Sequence, residues 1–238
     1  MKGEAVMLAA VLATSGAHPP RVDGTKVQPG SVCYAVMQNG RTIGATLQQV
    51  KATSAGGTLT WDIVVHQRLA GGQFDMSDHF VVRRADLRPL SLDNHRGDPT
   101  ATKGWQKVHI DYGQDRITGS KQTPSGLTPI NVSLDHPVWD GNLWGITFGA
   151  LPLRPAAHLR LPVWQYDKGF GTFIVDVTGS EVVDTPKGKI PAWVVQAGDD
   201  PTRLARYLIA KRNGAELGYS AGGAEQRLGG DCAGLSAE

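Results

Sequence analysis

Four Asp–His neighbours are the residues of this chain best suited to proton transfer: Asp78-His79, Asp93 with His95, His109 with Asp111, and Asp135-His136, the last followed by Asp140. A histidine oriented by a carboxylate is the usual general base, because its ordinary pKa of roughly 6.5 lets it take and return a proton near neutrality. Spacing separates the four. Adjacent strand residues point to opposite faces, so Asp78 and His79 cannot form a local dyad, whereas His109 and Asp111 share a face. That face lies opposite Val108, Ile110 and Tyr112, which assigns it to solvent. Asp135 and His136 stand where an alternating strand ends and an irregular segment begins, and there both can turn inward together with Asp140. The plainer alternative is a turn-capping Asp and a His resting on Trp139. Asp78 sits at the centre of the period-two face Phe74, Met76, Asp78, Phe80 and Val82. Burying a charged carboxylate costs several kcal/mol unless it is paired or neutralised. This position is therefore a hydrogen-bond hub, a group with a shifted pKa or the floor of a wet cavity, unless a β-bulge turns it outward. The candidate catalytic set is His136 as base, Asp135 or Asp140 orienting it, and Asp78 as a buried acid.

Other chemistries lack their patterns. No His-x-His or His-Glu-x-x-His spacing offers a metal site, and the Walker and dinucleotide fingerprints are absent, so no metal and no cofactor is implied. Six tryptophans are a high count for 238 residues. Trp fills cores and also walls sites for flat or acyl ligands. Trp61 joins the apolar face of its strand, while Trp164 and Trp193 fall opposite Val163 and Val194. The candidate ligand-binding residues are Trp61, Phe80, Trp139, Trp144 and Phe148.

These residues must be positioned by strands. Val32, Tyr34 and Val36 alternate up to Asn39-Gly40, a dipeptide suited to the two positive φ angles of a type I′ turn, and Ile43, Ala45 and Leu47 return. Leu59, Trp61, Ile63 and Val65 follow Gly56-Gly57, and the same pattern recurs to Leu217 and Tyr219. About a dozen short strands with tight connections predict a mainly antiparallel sheet long enough to curl. The segment 133–153 breaks the alternation. Too apolar for water and too rich in Gly and Pro for a strand, it is expected to fill the hollow, with a short helix from Val138 to Trp144.

Composition bounds the partners. Basic and acidic residues number 24 and 22 and are interleaved, leaving no footprint for nucleic acid or an anionic membrane surface. No segment approaches the ~20 apolar residues of a membrane helix. Lys2, the apolar run from Ala5 to Ala13 and Ser15-Gly16-Ala17 form a candidate signal peptide over 1–17, against which Glu4 counts; the other reading is a frayed helix. A linker over 18–30, one β domain over 31–228 and a loose Gly-rich tail over 229–238 complete the expected organisation. Cys33 and Cys232 stand just inside the two ends of that domain, as a terminal disulfide would in an oxidising compartment; two free thiols are the alternative.

The order of the motifs resembles a family of proteobacterial secreted proteins, a domain of unknown function whose fold is related to the LolA/LolB-type lipoprotein carriers. The likeness runs from about Val32 to Arg227. It rests on Tyr34 with Asn39-Gly40-Arg41-Thr42-Ile43-Gly44, on Asp86-Leu87-Arg88-Pro89-Leu90, and on the insert ending in Leu151-Pro152-Leu153. Glu181-Val182-Val183, Thr185-Pro186-Lys187-Gly188-Lys189 and Trp193 extend it. The resemblance implies a single strongly curved antiparallel sheet, a half-barrel with a short helical or loop plug in its concave face. In the carriers that hollow holds acyl chains, whereas an enzyme of violacein biosynthesis with a similar fold acts on an aromatic intermediate without a cofactor. No cysteine follows the signal candidate, which argues against an N-terminal lipid anchor.

The expectation is therefore a soluble periplasmic or secreted protein that binds a hydrophobic or aromatic small molecule, or an acyl chain, in a half-barrel cavity. Two alternatives stand beside it. One is a cofactor-independent lyase, isomerase or hydrolase using the His/Asp pair, and the other a structural envelope protein.

Overall fold

The structure, a computed structural model, describes residues 19–72, 74–98 and 104–236. The candidate signal segment lies outside the described residues. The first eight strands are β1 (Gly30–Gln38), β2 (Arg41–Ala55), β3 (Thr58–Leu69), β4 (Asp75–Arg83), β5 (Pro89–Arg96), β6 (Gln106–Tyr112), β7 (Arg116–Thr123) and β8 (Gly126–Ser133). The two-residue strand β9 (Trp139–Asp140) and the helix α1 (Gly145–Ala150) follow. The chain then forms β10 (His158–Gln165), β11 (Gly169–Thr185), β12 (Gly188–Gly198), β13 (Ala205–Ala210), β14 (Glu216–Ala221) and β15 (Ala224–Leu228).

All fifteen strands belong to one sheet, in the order β8-β7-β6-β5-β4-β3-β2-β1-β15-β14-β13-β12-β11-β10-β9. It is built from two meanders joined where β1 pairs antiparallel with β15, Tyr34 facing Leu228. Local chemistry sets each hairpin: Asn39 and Gly40 take φ of 50° and 77°, as a type I′ turn requires. Every pairing is antiparallel except β9 with β10, where Val163 faces Trp139 in parallel register.

The sheet curls until its two ends face each other, and side chains cross the remaining seam. Tyr112 of β6 donates to Asp140 Oδ2 at 2.5 Å and sets its ring edge-on to Trp164, centroids 6.1 Å apart. Gln106 Nε2 donates to the Tyr166 hydroxyl at 3.1 Å, and Lys121 pairs with Asp167. The backbone ladder does not close, so the molecule is a half-barrel sealed by side chains.

The segment between β8 and β10 enters the concave face, but its helix is displaced from the expected position. Residues 138–144 do not form it, because Trp139 and Asp140 join the sheet and the Asp140 carboxylate accepts from the Asn142 N–H at 2.6 Å, a local turn that competes with a helix. Helix α1 begins only at Gly145, after the segment expected to form it. Its Phe148 is fully buried against Phe173 and Tyr207, with centroids 5.4 and 4.9 Å away, in the one main core that both meanders share. Trp164 also differs from expectation: it and Val163 are both buried, since the seam covers the face that alternation assigned to water.

Both ends of the described residues lie against the sheet. The Asp23 N–H donates to the Ala150 carbonyl at 2.9 Å and Trp61 Nε1 to the Gly24 carbonyl at 2.9 Å, so the first described residues hold the end of the plug. At the other end Cys33 and Cys232 form a disulfide with Cα atoms 5.9 Å apart. Beyond it Arg68 donates to the Gly234 carbonyl at 3.0 Å and His66 Nδ1 lies 2.9 Å from the Ser236 carbonyl. The tail that composition marked as loose thus runs along the outside of the sheet.

Candidate functional site

The inner faces of β2 to β6 carry a polar stripe set by strand register. Thr46 faces Gln67, Gln67 faces Met76, Val65 faces Asp78, and Asp78 faces Asn94, so side chains of matched phase point into one hollow. Gln226 of β15 joins from the other meander and accepts from the Thr46 hydroxyl at 3.0 Å. The hollow between this stripe, α1 and the strands β12 to β14 holds a half-open cavity of about 450 Å³. Phe80, Trp144, Tyr207 and Tyr219 give it aromatic walls. Arg203, an exposed residue of the β12–β13 connection, marks its rim.

Asp78 borders this cavity and is a hub. Asn94 Nδ2 donates to its Oδ1 at 2.6 Å, and Gln106 Nε2 in turn donates to Asn94 Oδ1 at 2.8 Å. Burial outweighs the Asn94 hydrogen bond, and with the nearby Asp140 charge it raises the Asp78 pKa to about 7. Asp140 lies deeper, at the seam, outside the cavity lining. Burial raises its pKa to about 6 against the opposing bonds from Tyr112 and Asn142.

A third carboxyl, Glu216, was not among the sequence candidates. Glu216 as a whole is only partly buried, yet its Oε1 is closed to solvent and has no hydrogen-bond partner. Burial alone raises its pKa to about 7. A Cβ on Gly145 would fall 1.5 Å from its Oε2, so the glycine at the start of α1 is what leaves room for this carboxyl. Glu216, Ile146 and Gln48 also border a second cavity, of about 570 Å³, bounded by 26–34, 149–150 and 213–217 among others. The glutamate therefore stands in the wall between two hollows.

The remaining candidates fall in different places. His136 and Asp135 do pair, Nδ1 to Oδ1, but their side chains are 51% and 87% exposed and neither lines the cavity; the ring leans toward Phe170 at 6.2 Å. Of the five ligand-binding candidates, Phe80 and Trp144 border the cavity. Phe148 lies behind Trp144 as core. Trp61 is fully buried under the Arg84 guanidinium, 4.5 Å from the ring centroid, and Trp139 lies under Arg88 at 3.4 Å while its Nε1 donates to the Asp86 carbonyl at 2.8 Å. No group of three or more His, Cys, Asp or Glu residues that could hold a metal occurs among the described residues. No helix among them is long and apolar enough to cross a membrane.

What this arrangement can do is hold a small molecule and exchange hydrogen bonds or a proton with it through Asp78 and Glu216. It has no preformed histidine–carboxylate dyad at the cavity wall.

One solved structure is similar in fold: a beta-barrel-like protein of domain of unknown function DUF1849 from Brucella abortus. It aligns with a TM-score of 0.52 at 11% identity, over 88% of this chain and 97% of that one. At such identity the likeness concerns the fold alone. No curated protein matches the sequence. The family model described as a protein of unknown function (DUF3108) matches residues 33–217, from the first strand into β14, and the chain belongs to that family.

Proposed function

We propose that this protein is an exported binding protein that holds a hydrophobic or aromatic small molecule in the cavity between the polar stripe and α1. The observation that carries the reading is a hollow of about 450 Å³ left inside a sealed half-barrel, with aromatic walls and a few convergent polar groups. A half-open hollow of this size with apolar walls and a few convergent polar groups has the form of a small-molecule site. Export is supported by the Cys33–Cys232 disulfide, a bond that persists in oxidising compartments. Kinship with lipoprotein carriers rests on motif order in the sequence and is part of this proposal, as is the signal peptide over 1–17. Titration with a neutral aromatic probe, N-phenyl-1-naphthylamine, tests the reading. Saturable one-to-one binding that a cavity-filling substitution abolishes supports it, and absence of binding overturns it.

A further inference from the structure

The Glu216 carboxyl presents an unsolved problem of charge. Its Oε1 is enclosed without a donor, its Oε2 lies against Gly145, and Tyr34, Tyr207 and Tyr219 are near enough for its charge to hold their phenols protonated. The Tyr34 hydroxyl does not relieve it, because that group donates to the Glu216 backbone carbonyl at 3.2 Å. Buried polar atoms are ordinarily hydrogen-bonded, and an orphaned carboxyl is answered by a proton below about pH 7 and, above it, by a bound donor.

The surroundings select what can. Three acidic residues line the cavity, Asp78, Asp199 and Glu216, against one basic residue, Arg203. Arg203 is already engaged, Nε to Asp200 Oδ2 at 2.8 Å, and Asp199 is answered by Lys168. Asp78 and Glu216 are thus left facing the hollow without a cation. Tyr207 and Tyr219, tilted with centroids 5.5 Å apart, line the same cavity as the glutamate, and aromatic rings attract organic cations. An anionic ligand in this cavity would meet two carboxyls and no unpaired cation among the described lining residues, Lys26 and Lys187 bordering only the second cavity.

We propose that the cavity is a site for an amphipathic organic amine, its ammonium seated on Glu216 beside Tyr207 and Tyr219 and its apolar part against Phe80 and Trp144. This rests on the cavity reading above and narrows the ligand class. A bound ammonium donates to the orphaned oxygen and supplies the missing charge, a charge-assisted bond of the stronger kind.

Calorimetric titration of the purified protein at pH 8 with n-octylamine, n-octanol and n-octanoate separates the two ideas. The amine is expected to bind about tenfold or more tighter than the alcohol, in line with one charge-assisted hydrogen bond, and octanoate weakest. Alcohol equal to amine, or octanoate tightest, overturns the amine inference and leaves the cavity reading standing. Failure of all three to bind overturns the amine inference, while the cavity reading stands or falls on the naphthylamine titration. Glu216→Gln is expected to bring the amine down to the affinity of the alcohol; retention of the preference shows that Glu216 is not its source. Should that variant not fold, Glu216→Asp, which withdraws the charge by one methylene, is expected to narrow the preference, and an unchanged preference counts equally against the proposal.

Discussion

Asp78 shows how one residue of the polar stripe trades stability against use. Its carboxyl is more basic in the folded protein, about 7, than its ordinary value of 3.8, because burial disfavours the anion. A carboxyl whose pKa is raised by folding contributes fully to stability below its unfolded value, and that contribution is lost as pH rises through the folded value. Between about pH 4 and 8 the protein should therefore lose stability on account of Asp78, on the order of 4 kcal/mol as an upper bound and less where water in the cavity solvates the anion. Asp78→Asn keeps an acceptor for Asn94 and cannot ionise. Its melting temperature is expected to exceed that of the wild type at pH 8, with an advantage that shrinks toward pH 5. A difference that does not vary with pH would show that the group is not buried as described. Glu216 lacks even a donor like Asn94, and the amine proposed for it belongs to the same logic.

At the scale of elements, the plug and the terminal bond are the parts that make a cavity out of a sheet. Helix α1 rests on the β13–β14 turn where Gly149 meets Gly214, and a Cβ on Gly149 would sit 1.8 Å from the Gly214 carbonyl oxygen. Gly149→Ala should thus destabilise by about 1–3 kcal/mol in a denaturant midpoint, as overpacking does, while Gly179→Ala, where a Cβ meets nothing within 4 Å, should change it little. Equal effects at both positions would contradict the close seating of the helix. The Cys33–Cys232 bond spans a sequence separation of 199 residues. On the chain-entropy account its removal by Cys33→Ser with Cys232→Ser should lower stability by about 5 kcal/mol, and an unchanged urea midpoint would refute that account.

Elements were legible in the sequence where their cause is local. The Asn39-Gly40 hairpin and the inward phase of Asp78 follow from turn chemistry and period two. Glu216 was hidden by a register shift between Leu208 and Ile209, opposite which Gly218 and Glu216 pair. Strict alternation sends Glu216 and Tyr219, three residues apart, to opposite faces; the irregularity lets both border one cavity while Leu217 joins a separate small cluster with Ala192 and Ala210. The place of α1 was also illegible, because it depends on Asp140 pairing with Tyr112 and on β9 lying beside β10, contacts remote in sequence. His136 and Asp135 looked like chemistry because they are adjacent, yet nothing beyond their own pair draws them under the sheet.

For the whole molecule, two meanders joined at β1 and β15 curl until Tyr112, Gln106 and Lys121 reach across to the other end, and the hollow that remains is the feature a function must explain. Its walls come from both meanders and from the plug, so it exists only in the complete fold. Val65 lines this hollow from the middle of the polar stripe, facing Asp78. The decisive measurement is therefore a fluorescence titration of the protein and of Val65→Phe, a substitution that fills the cavity, with N-phenyl-1-naphthylamine. One saturable site per chain in the wild type, lost or weakened at least about tenfold in Val65→Phe while the variant still unfolds cooperatively, is the expected result. A wild type that binds no probe, or a filled variant that binds it equally well, would contradict a ligand-holding interior.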